Sequence, residues 1–485
     1  MNLLFLVPPV DLSKKKKPVD RVYGCNYGYD YKPAIHLLSL ATIAQQAGCR
    51  VRFMDCPAEG YNSKKFIHYL NNHRDINAVV FFSVWLSKEE DMSAADIATG
   101  ISPGIKIIFS GPYPTWQPGI FLKNSNYIVI RGEPENTLLE LIRSFKYGDN
   151  RLSEVTGISF LKENRPVDNR MKELQDLDAI AWPDRRLLKG EYYFNRLDTY
   201  PATIMCASRG CSYACTYCAP QALDQAIELE YLRFNLAKPP LRLKSPQAVI
   251  REFQEISVLG YRSVELCDNQ FLWDGKRMVE ICEGIRQLKL KWICNTRADY
   301  LKDKSLLKLM KEAGCQLIYI GTEAFNQAIL DDVNKGLDLR QNYRAVELVR
   351  ECGIEPEVSV LLGASGLEDE KSVLESISEA KKMKTRFVHY SVALPLPNTK
   401  LYQIAKNKGW MKTGDFIPVD NTRDATLDLP LINAARLKKI VRQCYIRQYL
   451  SLRLAMRQVV YCFGRQLTYK IKAWFNFLGS QFRSS

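Results

Sequence analysis

The chain has no run of about 18 consecutive apolar residues, so no segment reads as a membrane-spanning helix. It has no internal repeat of roughly 20–50 residues, which excludes a solenoid or a propeller. Histidine is scarce, with four residues (His36, His68, His73, His389) among 485. The opening Met1-Asn2-Leu3-Leu4-Phe5-Leu6-Val7-Pro8-Pro9 has no basic region and no small-residue cleavage site. It reads as a first strand rather than a secretion signal, and a cytoplasmic setting is expected. Acidic residues are missing altogether from 431–485. What is present is ordinary for a folded chain: 46% hydrophobic and 25% charged residues rule out a disordered, collagenous or multi-span membrane protein. A length of 485 residues exceeds what one core serves, so two or three domains are expected.

The net charge is +15, and eleven Lys and Arg residues fall within 431–485, leaving only +4 for the other 430 residues. A cationic tail on a nearly neutral body seeks an anionic partner. The 14 cysteines, without a secretion signal, point to a reducing compartment. Cys49, Cys56, Cys267, Cys282, Cys294, Cys315 and Cys352 lie in apolar or strand-like runs, where free cysteine packs as a small hydrophobe.

Short apolar runs at 3–7, 51–54, 78–84, 105–110 and 127–131 alternate with helical patterns such as 34–47 and 135–145. This alternation predicts an α/β unit over 1–150 with a doubly wound parallel sheet, Rossmann- or flavodoxin-like. Ligands of such sheets bind at the carboxyl ends of the strands. Those ends carry Pro8-Pro9, Gly111-Pro112-Tyr113-Pro114-Thr115 and Gly132-Glu133-Pro134-Glu135. Residues 151–200 read as a connector, in which 157–161 and a polar hairpin precede Ile180-Ala181-Trp182-Pro183-Asp184. A second series of strands at 203–206, 263–267, 291–295, 317–322, 357–362 and 387–393, with helices between them, predicts a partial (βα)6 barrel over 201–425. Residues 426–485 read as a basic helical tail, with Leu452, Met456, Val459, Val460, Phe463, Leu467, Ile471, Trp474, Phe475 and Leu478 recurring mostly at three- and four-residue steps.

Directly after the first barrel strand stands Cys211-Ser212-Tyr213-Ala214-Cys215-Thr216-Tyr217-Cys218, a C-x3-C-x2-C spacing. Three thiolates on a short loop suit three irons of a [4Fe–4S] cluster and leave the fourth iron open to a substrate. The competing readings are a zinc site completed by a distant ligand, or chance spacing. Cys206 is a possible fourth ligand but lies on the preceding strand, and no histidine is near in sequence.

This motif, in this place, resembles the radical S-adenosylmethionine (SAM) superfamily. The resemblance implies that Cys211, Cys215 and Cys218 hold the cluster, that SAM chelates its open iron, and that one electron from a donor such as flavodoxin or ferredoxin releases a 5′-deoxyadenosyl radical. It further implies SAM contacts from Tyr217, Asp268, Asn269, Arg297, Glu323 and Gly363 at successive strand ends. Pro395-Leu396-Pro397-Asn398-Thr399 resembles the family's P-x-P-G-T segment, with Asn398 in place of glycine.

An N-terminal doubly wound domain before such a barrel resembles the cobalamin-binding branch of the superfamily (class B methyltransferase-like). The resemblance implies cobalamin contacts from Pro9, Gly111, Pro112, Thr115 and Glu133. The Asp-x-His-x-x-Gly segment that supplies a cobalt ligand elsewhere is missing, as in many members of this branch, so no lower axial ligand is named. The alternative is a degenerate domain kept for stability. The basic amphipathic tail with Trp474, Phe475 and Phe477 fits an interfacial membrane helix, which would make the protein peripheral on a membrane surface through 431–485. The long apolar stripe argues against nucleic acid as the partner. A further reading has 437–454 packed on the barrel.

The expected activity is therefore reductive cleavage of SAM to activate an sp3 carbon, with cobalamin-dependent C-methylation of a hydrophobic metabolite (a lipid or natural product) as the leading reaction. The alternatives are a radical cyclase or rearrangement enzyme on a tetrapyrrole-like substrate and an RNA-modifying radical SAM enzyme. A non-catalytic iron–sulfur or zinc scaffold is the reading outside enzymes.

Overall fold

The computed structural model of the chain describes residues 1–14, 17–27, 31–146, 151–190, 192, 199–385 and 387–449. The Lys14-Lys17 run falls partly, and the tail beyond 449 wholly, outside them. The described residues divide into two compact units, one drawn from 1–194, 201–212 and 219–269, the other from 195–200, 213–218 and 270–485.

The first unit holds a seven-stranded sheet: β1 (Asn2–Val7), β2 (Arg50–Asp55), β3 (Ala78–Phe82), β4 (Lys106–Ser110), β5 (Tyr127–Ile130), β6 (Ile158–Lys162) and β7 (Arg165–Asp168). Their order is β2-β1-β3-β4-β5-β6-β7. The first five pair in parallel, in the flavodoxin-like arrangement 2-1-3-4-5, whose switch point lies between β1 and β3. Strands such as β3 and β5 are buried at every position, which is why they read as unbroken apolar runs rather than alternating ones. The hairpin β6–β7, expected in the connector, joins this sheet antiparallel to β5. The unit also holds β8 (Ala202–Met205), the short antiparallel pair β9 (Ser208–Arg209) and β10 (Arg242–Leu243), and β11 (Ser263–Leu266), which lies parallel to β8.

The second unit holds β12 (Lys291–Thr296), β13 (Cys315–Glu323), β14 (Glu355–Leu362) and β15 (Val388–Val392), all parallel. The order β15-β14-β13-β12-β11-β8 follows the sequence without a crossover, as a partial barrel requires. Its helices start where side chains supply the missing acceptors: Asp338 and Asp369 build capping boxes at Leu339–Glu351 and Glu370–Lys382, and Thr399 caps Lys400–Asn407.

An open barrel leaves an edge strand with unpaired backbone groups. On β15 the helix Ala434–Tyr449 covers that edge. The Tyr445 hydroxyl donates to Tyr390 O at 2.6 Å and accepts from Tyr390 N at 3.2 Å, and Gln448 Nε2 donates to Val388 O at 3.1 Å. Leu437, Ile440, Val441 and Cys444 are buried beside it. The packing reading of the tail thus holds over its described part. No described helix is long and apolar enough to cross a membrane.

His36, in the first turn of Ile35–Gln46, is 7% exposed and packs 5.1 Å from the Phe82 ring. Burial, reinforced by the positive charge of Arg209, pushes its pKa down from 6.5 to about 3. The unfolded chain therefore binds a proton below pH 6.5 that the folded chain refuses, so stability present above that pH is lost as the pH falls below it. We expect His36→Gln to flatten the pH dependence of the urea-unfolding free energy between pH 6.5 and 5, removing up to about 1.4 kcal/mol per pH unit.

Candidate active site

The cysteine loop leaves β9 and returns to the helix Ala222–Arg233. Cys211, Cys215 and Cys218 form no disulfide and are half-buried. Cys206 is half-buried too, but burial, with the Asp268 carboxylate second, pushes its thiol well above the usual range. It remains a protonated thiol and a poor ligand.

In the first unit, three side chains hold the strands on either side of the loop. Asp268 is fully buried and accepts from the Ala207 N–H at 3.0 Å and from the Ser208 hydroxyl. Asn269 reaches both ends of the loop, accepting from Gln221 N at 2.8 Å and donating to Gly210 O at 3.4 Å and to Asp224 Oδ2 at 2.5 Å. Arg209, two residues before the first cysteine, is locked between Glu133 and Glu135, and Arg242 Nη2 adds a second cation 2.7 Å from Glu133. Burial alone would raise the Glu133 pKa, but the two guanidiniums outweigh it and hold the carboxyl below its ordinary range. Glu133 thus bonds to the entrance of the cysteine loop.

In the second unit, the rest of the loop hangs on backbone bonds. Thr216 N donates to Val333 O at 2.9 Å, Thr216 O accepts from Leu401 N at 2.8 Å, and Asn334 Nδ2 donates to Ala214 O at 2.9 Å. Arg297 stands 3.6 Å over the Tyr213 ring, with Nη1 4.0 Å from Cys215 Sγ, and is held by Asp299 at 3.0 Å and Lys335 O at 2.8 Å. Tyr213 stacks on Trp273 at 6.2 Å and meets Tyr300 edge-on at 6.5 Å. Burial raises the Tyr217 hydroxyl well above its usual range, and the adjacent Glu323, Cys215 and Cys218 raise it further. Tyr217, Arg297, Glu323 and two of the cysteines are therefore gathered together.

Glu323 ends β13 beside a bulge, at φ 60°, a backbone strain rarely borne by a residue with a side chain. Its carboxylate lies 3.1 Å from Lys335 Nζ. A Cβ on Gly321 would lie 2.8 Å from Glu323 Oε1 and 3.2 Å from Lys335 Nζ, so this ion pair folds over a position that only glycine leaves open. At the end of β14, Gly363 (φ 75°) donates to Glu368 Oε2 at 2.9 Å, and its open side is filled by Leu437.

The sequence did not single out Tyr213, Trp273 or Tyr300 for a role, nor Glu133 and Glu135 as holders of Arg209. The first three carry a weak signal, being aromatics in the loop itself or a few residues beyond strands β11 and β12. The last two carry none, because the partners are more than 70 residues apart.

The donor set fits an iron–sulfur cluster in its chemistry: three soft, half-buried thiols outside any disulfide, on a loop held by side-chain and backbone bonds. Among the described residues no three His, Cys, Asp or Glu side chains are gathered as a single metal ion needs. For a corrin, the relevant place is the set of carboxyl ends of β1, β3 and β4. There Gly111 has φ 105°, and a Cβ on it would meet Ser83 O at 2.4 Å. The fully buried Ser83 Oγ has no partner among the described residues. Pro9 is buried at the end of β1, and Pro112 opens the short helix Pro112–Trp116. Thr115 donates to Gly111 O at 2.8 Å and accepts from Gly132 N at 3.1 Å, tying two strand ends together. Of these groups the unpartnered Ser83 Oγ is the one left to bond the polar rim of a corrin, whereas Gly111 is packed against the neighbouring strand's backbone and Arg21 reaches Phe82 O at 3.0 Å on the same crest.

A partial barrel with a C-x3-C-x2-C loop after its first strand is the arrangement the radical SAM resemblance implies. Residues 205–379 match the family described as the Radical SAM superfamily. The chain is 26% identical over 469 residues to an uncharacterized methyltransferase of Pyrococcus horikoshii, covering 95% of each chain. It is 28% identical over 319 residues to the anaerobic magnesium-protoporphyrin IX monomethyl ester cyclase of Rubrivivax gelatinosus, covering 63% of this chain and 54% of that one. Among solved structures, the cobalamin-dependent S-adenosylmethionine radical enzyme OxsB, with aqua-cobalamin and S-adenosylmethionine bound, shares the fold at a TM-score of 0.70 and 15% identity, covering 99% of this chain and 70% of that one.

Because Asn269 bonds to both ends of the cysteine loop and to the carboxylate of Asp224, Asn269→Ala is expected to lower the unfolding free energy by about 2–3 kcal/mol, read by urea denaturation. Gly321→Ala is expected to separate Glu323 from Lys335, raising the SAM concentration needed for half-maximal deoxyadenosine release at little change in stability.

Proposed function

We propose that the chain is a cobalamin-dependent radical SAM methyltransferase that acts on an sp3 carbon of a hydrophobic metabolite. The observation that carries this reading is the fixed loop of three accessible thiols, joined to likeness along nearly the whole length of a relative named as a methyltransferase. When bound, the cluster and SAM supply a carbon-centred radical, and the corrin supplies a methyl donor.

The chain's own residues supply position and dryness. Cys211, Cys215 and Cys218 would hold the cluster, with Asp268 and Asn269 fixing the loop that presents them. Tyr217, Arg297, Glu323 and Gly363 line the strand ends where SAM would lie. Glu323, balanced by Lys335, is suited to accept from an ammonium or a hydroxyl there. Arg297, over Tyr213 and with Nη1 4.0 Å from Cys215 Sγ, puts a positive charge next to that sulfur. Gly111, Pro112, Thr115 and Pro9 would form the corrin crest, with Glu133 holding its neighbour Arg209. An electron carrier such as flavodoxin or ferredoxin would serve as donor. The cations of 431–485 would bring the protein to a membrane surface.

A second reading, radical cyclisation of a tetrapyrrole-like substrate, is favoured by the 28% identity to the cyclase. The test is anaerobic reconstitution with iron and sulfide, followed by purification with added hydroxocobalamin. We expect about four irons per chain, deoxyadenosine release under reductant, and a corrin absorption band at one equivalent. Cys215→Ala should reduce the iron content to a fraction and abolish deoxyadenosine release. Zinc in place of iron would overturn the radical reading. Failure to retain the corrin would overturn methylation and leave cyclisation.

A further inference from the structure

In a parallel barrel each helix ends where the next strand begins, so the last helical turns and the strand starts share one rim, opposite the carboxyl ends. In the second unit this amino-terminal rim gathers cations. Lys289 and Lys311 stand just before β12 and β13, Arg350 lies in the last turn of Leu339–Glu351 before β14, and Lys381 and Lys384 lie at the end of Glu370–Lys382 before β15. Arg447 joins them from the covering helix Ala434–Tyr449, whose next residue, Gln448, bonds Val388 O at the start of β15 at 3.1 Å. All but Lys311 are exposed. None of the six belongs to the cysteine loop or to the strand-end positions assigned to SAM.

A cation in a last helical turn is ordinary, because it complements the helix dipole. Here the acids at the helix ends are already claimed, which leaves the cations over. Glu312 lies 3.8 Å from Arg286, Glu351 2.7 Å from Lys304 and Glu379 2.5 Å from Lys382. The six cations have no carboxylate partner among the described residues. Glu283, Glu347 and Glu355 lie nearby without a cation and are outnumbered. The sequence carries the same sign onward. Residues 450–485, which follow directly on the covering helix, hold six Lys and Arg and no Asp or Glu, with Trp474, Phe475 and Phe477 among them.

We propose that the amino-terminal rim of β12–β15 docks on an anionic lipid surface. Its charge is of one sign and is spread over the starts of four strands, which suits a broad anionic plane. None of the exposed, described residues of the rim is an aromatic on which a base could stack, which disfavours a single-stranded nucleic acid. This inference rests on the membrane contact in the proposed function and deepens it, because it adds to the tail a surface of the barrel itself. It also sets an orientation. Glu323 and Gly363 lie at the opposite ends of β13 and β14, and the eight residues of Glu355–Leu362 alone span about 26 Å. The strand ends assigned to SAM therefore point away from the lipid, which moors the enzyme and does not feed those ends directly.

The test is flotation of the reconstituted full chain with vesicles of phosphatidylcholine and phosphatidylserine in a ratio of roughly 7 to 3, against phosphatidylcholine alone. We expect binding to the mixed vesicles only, weakened by added salt. Lys381→Gln combined with Lys384→Gln should weaken that binding roughly 25-fold, about fivefold per cation. Lys381→Arg combined with Lys384→Arg keeps the charge and should bind as the wild type does. Lys276→Gln combined with Lys302→Gln removes the same charge at the carboxyl ends of β11 and β12 and should leave binding unchanged. Equal losses from the Gln pairs at the two ends, or no loss from the rim pair, would overturn the rim as the docking surface. Displacement of the chain from the vesicles by an equimolar single-stranded RNA would overturn lipid as its partner. If Arg453→Gln combined with Arg457→Gln abolishes binding while the rim pair does not, the rim fails and the membrane contact of the tail stands. A wild-type chain that ignores the mixed vesicles sinks both. None of these outcomes bears on deoxyadenosine release, so failure here is distinct from failure of the radical reading.

Discussion

The side chain of Asn269 is the tie on which the cysteine loop depends. Its amide accepts from one end of the loop, donates to the other and bonds one oxygen of the buried Asp224. A stretch of eleven residues with little regular structure cannot hold three sulfurs in a fixed relation by itself, since each unfixed residue retains about 1–2 kcal/mol of backbone entropy. Closing the loop at its neck with one amide removes most of that freedom, and the bonds to Asp268, Val333, Asn334 and Leu401 remove more. Metal-binding loops in general trade their own lack of structure for such external ties.

Each unit sets its own ion pairs beside its part of the loop. Arg209 enters it with its charge cancelled by Glu133 and Glu135, so no bare cation is buried at the neck. Arg297 keeps one face turned to Cys215 while Asp299 holds the other. Glu323 and Lys335 form a third pair, folded over Gly321. A buried pair that loses one member leaves an uncompensated charge, which ties the integrity of each pair to that of the fold.

Much of this architecture was legible in the sequence. The carboxyl-directed strands β1–β5 and all six barrel strands fall within two residues of the apolar runs that mark them, because a parallel strand buried on both faces leaves a continuous hydrophobic signature. The hairpin β6–β7 was visible as a hairpin but not as part of the first sheet, since nothing local records which edge a hairpin joins. The cysteine spacing marked the loop. Its ties were not legible, because Asn269, Glu133 and Asn334 meet partners 48 to 120 residues away. Glu133 illustrates the limit: position alone suggested a ligand-facing carboxylate, whereas two arginines claim it. His389 and Ser391 alternate with apolar neighbours and so declare a polar face, but only the register across β14 reveals Glu357 and Ser359 beside it.

The cover that Tyr445 and Gln448 place on β15 has a consequence for how the protein is made. A ribosome delivers the barrel strands in spatial order, and the last of them emerges with its outer hydrogen-bonding row bare. That row is quenched only after some fifty more residues have been translated and the helix Ala434–Tyr449 can swing onto it. The nascent chain therefore passes through an interval in which its core is nearly complete yet sticky along one side. An oxygen-sensitive centre loaded during that interval would enter a barrel whose seam is still open to neighbouring chains.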